Sequence, residues 1–166
     1  SIAILGLTET AIRFPSAFFG VLTVLMTYFL VKKLFKDESI AQIASFFLAI
    51  SPWHLQFSRG AIESSLAIFF SVSGVYFFIK FATDKGFYIF ISALSFIAAM
   101  YTFTGQRLFV PLIIILLTIQ FKKEIIKNFK IVIVSAIFSF ILFYPLLKFA
   151  SGTIEGRLRF EEVTIF

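Results

Sequence analysis

The side chains of this chain with the clearest chemical potential are arginines that border long hydrophobic stretches. When the loops between these stretches are assigned alternately to two sides, all five arginines fall on one side, together with Lys148: Arg13, Arg59, Arg107, Arg157 and Arg159. A guanidinium can bind phosphate or carboxylate through two parallel hydrogen bonds, whereas a lysine acts as a point charge. The arginine side therefore predicts a site that recognises an anion. The alternative is that these arginines only cap helices.

Arg59 and Glu63 stand four residues apart, so they would share one face if a helix begins that early. Glu63 lies at the edge of an apolar stretch, and ionisable groups within a membrane are functional candidates by default. Ordinary explanations stay open, because a carboxylate is stabilised in a first helical turn and an interfacial arginine buries its apolar stem. His54 could carry a proton or donate to a phosphate. The favoured interpretation of this lone histidine is a structural hydrogen bond.

Arg13 is predicted to lie in the opening turn of the first hydrophobic stretch, where backbone N–H groups lack partners. A cation there opposes the helix dipole, so its presence beside free donors suggests an anion site. Glu9, four residues earlier, could instead neutralise Arg13. Arg107 is the last residue of a polar patch at residues 102–107 and completes the predicted set of arginines.

Long apolar segments must position these residues. The chain has 166 residues, of which 60% are hydrophobic, with 26 Phe and a mean hydropathy of +1.00. Soluble domains average about 45–50% apolar residues. We therefore predict an all-α integral membrane helical bundle that forms part of one transmembrane domain over residues 1–166. Because a spanning helix needs about 20 residues, the segments predict six helices, at residues 11–31, 40–57, 61–81, 87–104, 108–121 and 131–149.

The lysines have the opposite distribution from the arginines. Nine of the ten fall on the other side: Lys32, Lys33, Lys36, Lys80, Lys85, Lys122, Lys123, Lys127 and Lys130. Cationic loops are retained in the cytoplasm during insertion, so we predict a multi-pass protein of the cell membrane with its arginines outside, although general composition could produce the same bias. The net charge of +6 does not predict nucleic-acid binding, since these lysines lie between hydrophobic segments and suit anionic lipid.

Several kinds of site are excluded by residue type. The chain has no cysteine and one histidine, which excludes a thiol nucleophile, a disulfide framework and a histidine metal cluster. No cofactor is certain, and the sequence leaves a divalent metal ion open without indicating its ligands.

Four strings resemble a known family. Residues 9–20, ETAIRFPSAFFG, resemble the start of the second membrane helix in polyprenyl-phosphate-sugar glycosyltransferases of the C-type fold, which include protein O-mannosyltransferases and lipid A aminoarabinose transferases. Residues 51–63 are similar to the next outer loop of that family. Residues 107–111, RLFVP, also look like the corresponding string of the family. Residues 156–166 also resemble the entry to a large outer loop, so the resemblance covers nearly the whole chain.

This resemblance implies transfer of a sugar from a polyprenyl-phosphate donor to an unidentified acceptor at the outer face. Arg13, Arg59 and Arg107 would hold the donor phosphate, and Glu63 matches the second acidic position of the family and is the catalytic candidate. Glu9 and His54 are supporting candidates. The principal base of the family is usually an Asp in the first outer loop, whereas the only aspartates of this chain, Asp37 and Asp84, fall on the lysine side. We therefore expect a fragment whose principal base precedes Ser1.

Two other functions stay open at this stage. A transporter or flippase for an anionic or lipid-linked substrate is also a helical bundle, but such proteins usually place ionisable groups inside their spans. A structural or assembly subunit would carry no site at all. The clean helix interiors and the one-sided arginines favour surface chemistry over both.

Overall fold

The computed structural model describes residues 9–60, 63–84 and 86–152, and it describes no side chains for residues 9–12, 147 and 149–152. The side chain of Glu9, together with Lys85, Arg157, Arg159 and the string 156–166, therefore lies outside the described part. Within that part the chain forms helices and no strand, which confirms the predicted all-α class.

Eight helices follow one another along the described residues. In chain order they are α1 (Glu9–Phe35), α2 (Glu38–Ile50), α3 (Pro52–Arg59), α4 (Ser64–Thr83), α5 (Tyr88–Thr102), α6 (Gln106–Gln120), α7 (Lys122–Lys127) and α8 (Phe129–Gly152).

Local chemistry explains the boundaries of α2. The Asp37 carboxylate accepts hydrogen bonds from the backbone N–H groups of Ser39 at 2.7 Å and Ile40 at 3.2 Å, and so caps the helix. The helix stops at Ile50 because Ser51 is extended, which suits a residue that precedes proline. Pro52 then occupies the first turn of α3, where a missing N–H is tolerated. The segment 40–57, predicted as one helical span, is therefore divided into two helices at Ser51.

Three helices are long and apolar enough to cross a membrane, over Arg13–Phe35, Ser64–Thr83 and Phe129–Leu146. Three further apolar helices, α2, α5 and α6, are shorter. At about 1.5 Å per residue, the 15 residues of α5 give roughly 22 Å, less than the ~30 Å of a hydrocarbon core. Half of the six expected spans thus reach full length within the described residues.

The bundle is built around α4, which packs between α1 and α5. Helices α2 and α3 lie against α1, while α8 and α6 lie against α5. Gly74 permits the close approach of α5, because a Cβ at this position would lie 2.7 Å from the ring of Phe96. The buried Ser92 hydroxyl donates to the Gly74 carbonyl at 2.8 Å in the same contact. Many large apolar side chains remain exposed around the bundle, as expected where the solvent is lipid.

The two ends of the bundle differ in charge. We call one end the lysine face; it comprises the end of α1, the turn after α4, and α7. There the Lys33 ammonium lies 3.0 Å from both carboxylate oxygens of Asp84 and so joins α1 to α4. We call the opposite end the arginine face; it holds Arg13, Arg59 and Arg107, near the starts of α1 and α6 and at the end of α3.

Candidate active site at the arginine face

Helix α3 is held on the bundle by hydrogen bonds at both of its neighbours. His54 Nε2 lies 3.1 Å from the Gly20 carbonyl of α1; because a carbonyl only accepts, this nitrogen carries the proton and donates. Ser65 of α4 donates its hydroxyl to the Phe57 carbonyl at 2.8 Å. Helix α3 is therefore fixed between α1 and α4, and the observed role of His54 is to hold it there.

A glycine sets the distance between α1 and α3. A Cβ built on Gly20 would lie only 2.5 Å from the Cβ of Ser58, closer than side chains approach one another. The Ser58 hydroxyl also donates to the His54 carbonyl at 2.7 Å. The close approach of Gly20 to Ser58 thus places Arg59, the residue after Ser58, beside α1.

Helices α1, α2 and α3 enclose an apolar groove of about 530 Å³. Its lining on α1 recurs every three or four residues and so forms one stripe of the helix. This stripe begins at Ala17 and reaches Tyr28, a distance of roughly 16 Å at the helical rise. The full lining consists of Ala17, Gly20, Val21, Val24, Leu25, Tyr28, Ser45, Ala49, His54, Leu55, Ser58 and Arg59.

Arg59 supplies the cationic side chain of this groove. It is the last residue of α3 and is exposed. Its guanidinium makes no hydrogen bond or ion pair with any described residue, so all five of its N–H donors are available. A cation at a helix C-terminus is also stabilised by the helix dipole. This explains why Arg59 can end α3 without an ion-pair partner.

Arg59 and Glu63 do not share one helical face, because no described helix begins early enough to include both. Helix α3 ends at Arg59, Gly60 is extended with φ −71° and ψ 152°, and Glu63 only precedes the start of α4. The reason is local, because the extended backbone at Gly60 ends the helical repeat that the four-residue spacing presumes. Glu63 is exposed, and its carboxylate does not cap α4.

The expected position of Arg13 also needs correction. Glu9 is already helical, so Arg13 lies at least one turn inside α1 and not in an opening turn with free N–H groups. Pro15 is correspondingly inside the helix. Arg13 is exposed and stands four residues before Ala17, which puts it on the same stripe as the groove, one turn nearer the end of the molecule.

Arg107 stands apart from the groove that Arg59 borders. It follows Gln106, whose buried side-chain oxygen accepts a hydrogen bond from the Ser71 hydroxyl at 2.9 Å. Ser71 is eight residues beyond Glu63 on α4, or about 12 Å further into the bundle. Arg107 Nε is buried and has no hydrogen-bond partner among the described residues. Arg107 does not line the groove, so the structure does not join it to Arg59.

The carboxylates are sorted between the two faces. Glu63 is the one described carboxylate side chain at the arginine face; those of Asp37, Glu38, Asp84 and Glu124 belong to the lysine face. No group of three His, Asp or Glu side chains within the described ranges could hold a metal ion. Among the described residues, the site thus offers separated cations and one carboxylate.

Two contacts near this face are not predicted by residue spacing. The bond between Ser71 and Gln106 joins helices whose relative depth the sequence does not fix, although a serine in the middle of an apolar span is a signal of such a partner. The approach of Gly20 to Ser58 has a weaker signal, a glycine within a span.

Comparison with known proteins assigns the chain to a family. The family model described as dolichyl-phosphate-mannose-protein mannosyltransferase matches residues 1–149. The chain has no match among curated proteins or solved structures. The resemblance inferred from residues 9–20, 51–63 and 107–111 is thereby confirmed. The chain, which is matched over residues 1–149, therefore belongs to the dolichyl-phosphate-mannose-protein mannosyltransferase family, whose members are membrane glycosyltransferases that use a polyprenyl-phosphate sugar donor.

Proposed function

We propose that the arginine face transfers a sugar from a polyprenyl-phosphate donor to an acceptor at the outer surface of the cell membrane. The observation that carries this proposal is the position of Arg59 at an apolar groove. A polyprenyl phosphate is an anion attached to a long hydrocarbon chain. Arg59 and the groove it borders present the matching chemistry, a guanidinium beside about 530 Å³ of apolar space.

In this proposal the donor lies along α1. Arg59 binds the phosphate through two parallel hydrogen bonds, and the prenyl chain follows the groove toward Tyr28. Arg13, on the same stripe of α1 beyond Ala17, supports the phosphate from the side of the molecular surface. His54 contributes indirectly, because its bond to Gly20 holds the helix that carries Arg59.

The reaction needs both a cation and a base. The acceptor nucleophile attacks the anomeric carbon, the bond from that carbon to the phosphate oxygen breaks, and its electron pair leaves with the polyprenyl phosphate. A fixed cation lowers the barrier because negative charge builds on the phosphate in the transition state. The acceptor proton passes to a carboxylate base. Glu63, the described carboxylate side chain of this face, would orient the acceptor or an arginine for this step.

Arg107 and Glu9 keep more limited roles. Arg107 stays a candidate for phosphate binding because its buried Nε has no partner among the described residues, although it does not line the groove. Glu9 stays a predicted supporting residue near Arg13.

Donor dependence tests the proposal directly. The purified protein is supplied with dolichyl-phosphate mannose, the donor that the family name indicates, or with a nucleotide mannose and no lipid carrier. We expect consumption of the lipid-linked sugar alone, and we expect Arg59→Ala to slow it roughly 100- to 1000-fold. Turnover of the nucleotide sugar without a lipid carrier would sink the proposal.

The outer location of the site has its own test. The chain has no cysteine, so single cysteines at the exposed residues Gln56 and Ser39 report the arginine face and the lysine face. Because the lysine-rich loops are retained in the cytoplasm, an impermeant thiol reagent added to intact cells should label Gln56→Cys only. Labelling of Ser39→Cys but not Gln56→Cys would reverse the orientation.

A further inference from the structure

The lysine face carries a polar pocket of about 340 Å³ between the end of α4 and α7. Lys123 and Lys127 line it, one helical turn apart on α7, and both are exposed. Neither ammonium makes a hydrogen bond or ion pair with a described residue. The pocket also contains Asp84, which Lys33 already neutralises at 3.0 Å, and Glu124. Two cations therefore face a single uncompensated carboxylate.

The charge of the surrounding segment has the same sign. Residues 122–130 contain four lysines and one glutamate, a net charge of 4 − 1 = +3. The pocket is thus suited to an anion, and its two lysines present compact charges that match a phosphate oxygen without requiring a fixed geometry.

An apolar groove of about 430 Å³ lies next to this pocket, among α4, α5, α6, α7 and α8. The two cavities share one wall, the cluster of Phe78, Phe81 and Ile89 with Ile125 packed against it. Phe81 lines the polar pocket, whereas Phe78, Ile89 and Ile125 line the groove. Glu124 and Ile125 are consecutive residues of α7 that face the two different cavities. A single elongated molecule could therefore occupy both.

We propose that these paired cavities bind an anionic phospholipid, with its headgroup phosphate at Lys123 and Lys127 and an acyl chain in the groove. The combination identifies the occupant, because a free phosphate would leave the apolar groove without a function and a neutral lipid would leave the lysines without one. The site lies at the end of the bundle opposite Arg59 and does not depend on the proposed transfer reaction. Its role is to anchor α7 and the starts of its neighbours to the membrane surface.

Lipid titration of the purified protein in a neutral detergent tests this site. Phosphatidylglycerol, phosphatidylcholine and glycerol phosphate are added separately, and binding is followed by native mass spectrometry and by the thermal midpoint. We expect phosphatidylglycerol to bind and to raise the midpoint, with phosphatidylcholine and glycerol phosphate much weaker. Equal binding of glycerol phosphate would identify a simple anion site. Equal binding of phosphatidylcholine would show that the charge of the headgroup does not determine binding. Either result overturns the proposal.

Paired variants locate the site on α7. Each lysine near an anionic headgroup contributes about fivefold in affinity, so Lys123→Gln with Lys127→Gln should weaken phosphatidylglycerol roughly 30-fold. The matched control, Lys122→Gln with Lys130→Gln, removes the same charge from exposed residues that do not line the pocket, and should leave most of the affinity. Equal losses of affinity in both double variants would mean diffuse electrostatic attraction and would contradict binding of the headgroup in the pocket.

A third variant tests the groove independently of charge. Ala136 is exposed and lines the groove, so Ala136→Phe should fill it and weaken phosphatidylglycerol while every lysine remains. Unchanged binding in this variant would exclude the acyl-chain position. Since no readout is sugar transfer, failure here and failure of the proposed function are separate outcomes.

Discussion

The two faces of the bundle differ in how their charged side chains are paired. At the lysine face, Lys33 pairs with Asp84 at 3.0 Å and Lys32 with Glu38 at 3.2 Å. Lys80 lies over the ring of Tyr88, 4.4 Å from its centroid. At the arginine face, Arg59 and Glu63 have no such partner among the described residues, and the buried Nε of Arg107 is unsatisfied.

This difference separates structural charges from those that are left for a ligand. A buried polar group without a partner costs about 1–3 kcal/mol, so the buried Nε of Arg107 indicates a position that a ligand would complete. Arg59 and Glu63 are exposed and are accessible to a ligand without that cost. On the lysine face, Lys123 and Lys127 have no side-chain hydrogen bond or ion pair with a described residue, and the same holds for Lys36, Lys122 and Lys130. The proposed phospholipid would bind the two lysines that line the polar pocket.

The largest expected effect breaks the arginine face at Arg59. Losing one strong transition-state contact costs about 3–4 kcal/mol, or roughly 100- to 1000-fold in rate. If the two-pronged geometry matters, Arg59→Lys should fail nearly as badly as Arg59→Ala, because lysine keeps the charge but not the fork. Glu63→Gln should also reduce turnover strongly. The measurement is the initial rate of transfer from the polyprenyl-phosphate donor.

The control for this prediction is Gln56→Ala, an exposed residue on the same helix that does not line the groove. It should retain its activity, and all variants should insert and unfold as the parent does. Near-parental rates in both Arg59→Lys and Glu63→Gln would reduce the pair to anchors at the membrane interface.

Hydropathy predicted the class of the fold, and the distribution of residue types among the loops predicted the separation of arginines from lysines. The family was predicted from the resemblance of a few sequence strings. Positions in depth were less accessible, because they depend on where helices begin. Arg13 lies deeper in α1 than expected since the helix includes Glu9, and Gly60 separates Arg59 from Glu63 although their spacing suits one helix. The bond from Ser71 to Gln106 depends on how two helices are offset along their axes, which no local pattern specifies.

A smaller effect tests how the bundle holds Arg59 at the groove. Gly20→Ala should push α3 away from α1, since the new Cβ would lie 2.5 Å from that of Ser58. Overpacking costs about 1–3 kcal/mol, so both the thermal midpoint and the transfer rate should fall. Adding Ser58→Gly removes the opposing Cβ and should restore the rate toward that of Ser58→Gly alone. An additive loss in the double variant would show that this contact does not position α3.

The smallest expected effect concerns the ion pair at the lysine face and depends on pH. The hydrogen bond from Lys33 lowers the pKa of the Asp84 carboxyl from its ordinary value, and the nearby charge of Lys80 acts in the same direction. A carboxyl whose pKa is lowered on folding contributes stability above its unfolded pKa, and loses it as the pH falls through the folded one. Asp84→Asn should therefore have a lower thermal midpoint than the parent at pH 7. The difference should shrink below about pH 4, where an unperturbed Asp becomes protonated, and vanish in stronger acid, when both proteins carry a neutral side chain at this position. Because the pair is solvent-exposed, high salt should reduce the difference at pH 7 as well. A midpoint difference that persists unchanged into strong acid would mean that Asp84 stabilises the turn after α4 through its shape and not through its charge. The pair of Lys33 and Asp84 would then no longer be an example of a stabilising ion pair on the lysine face.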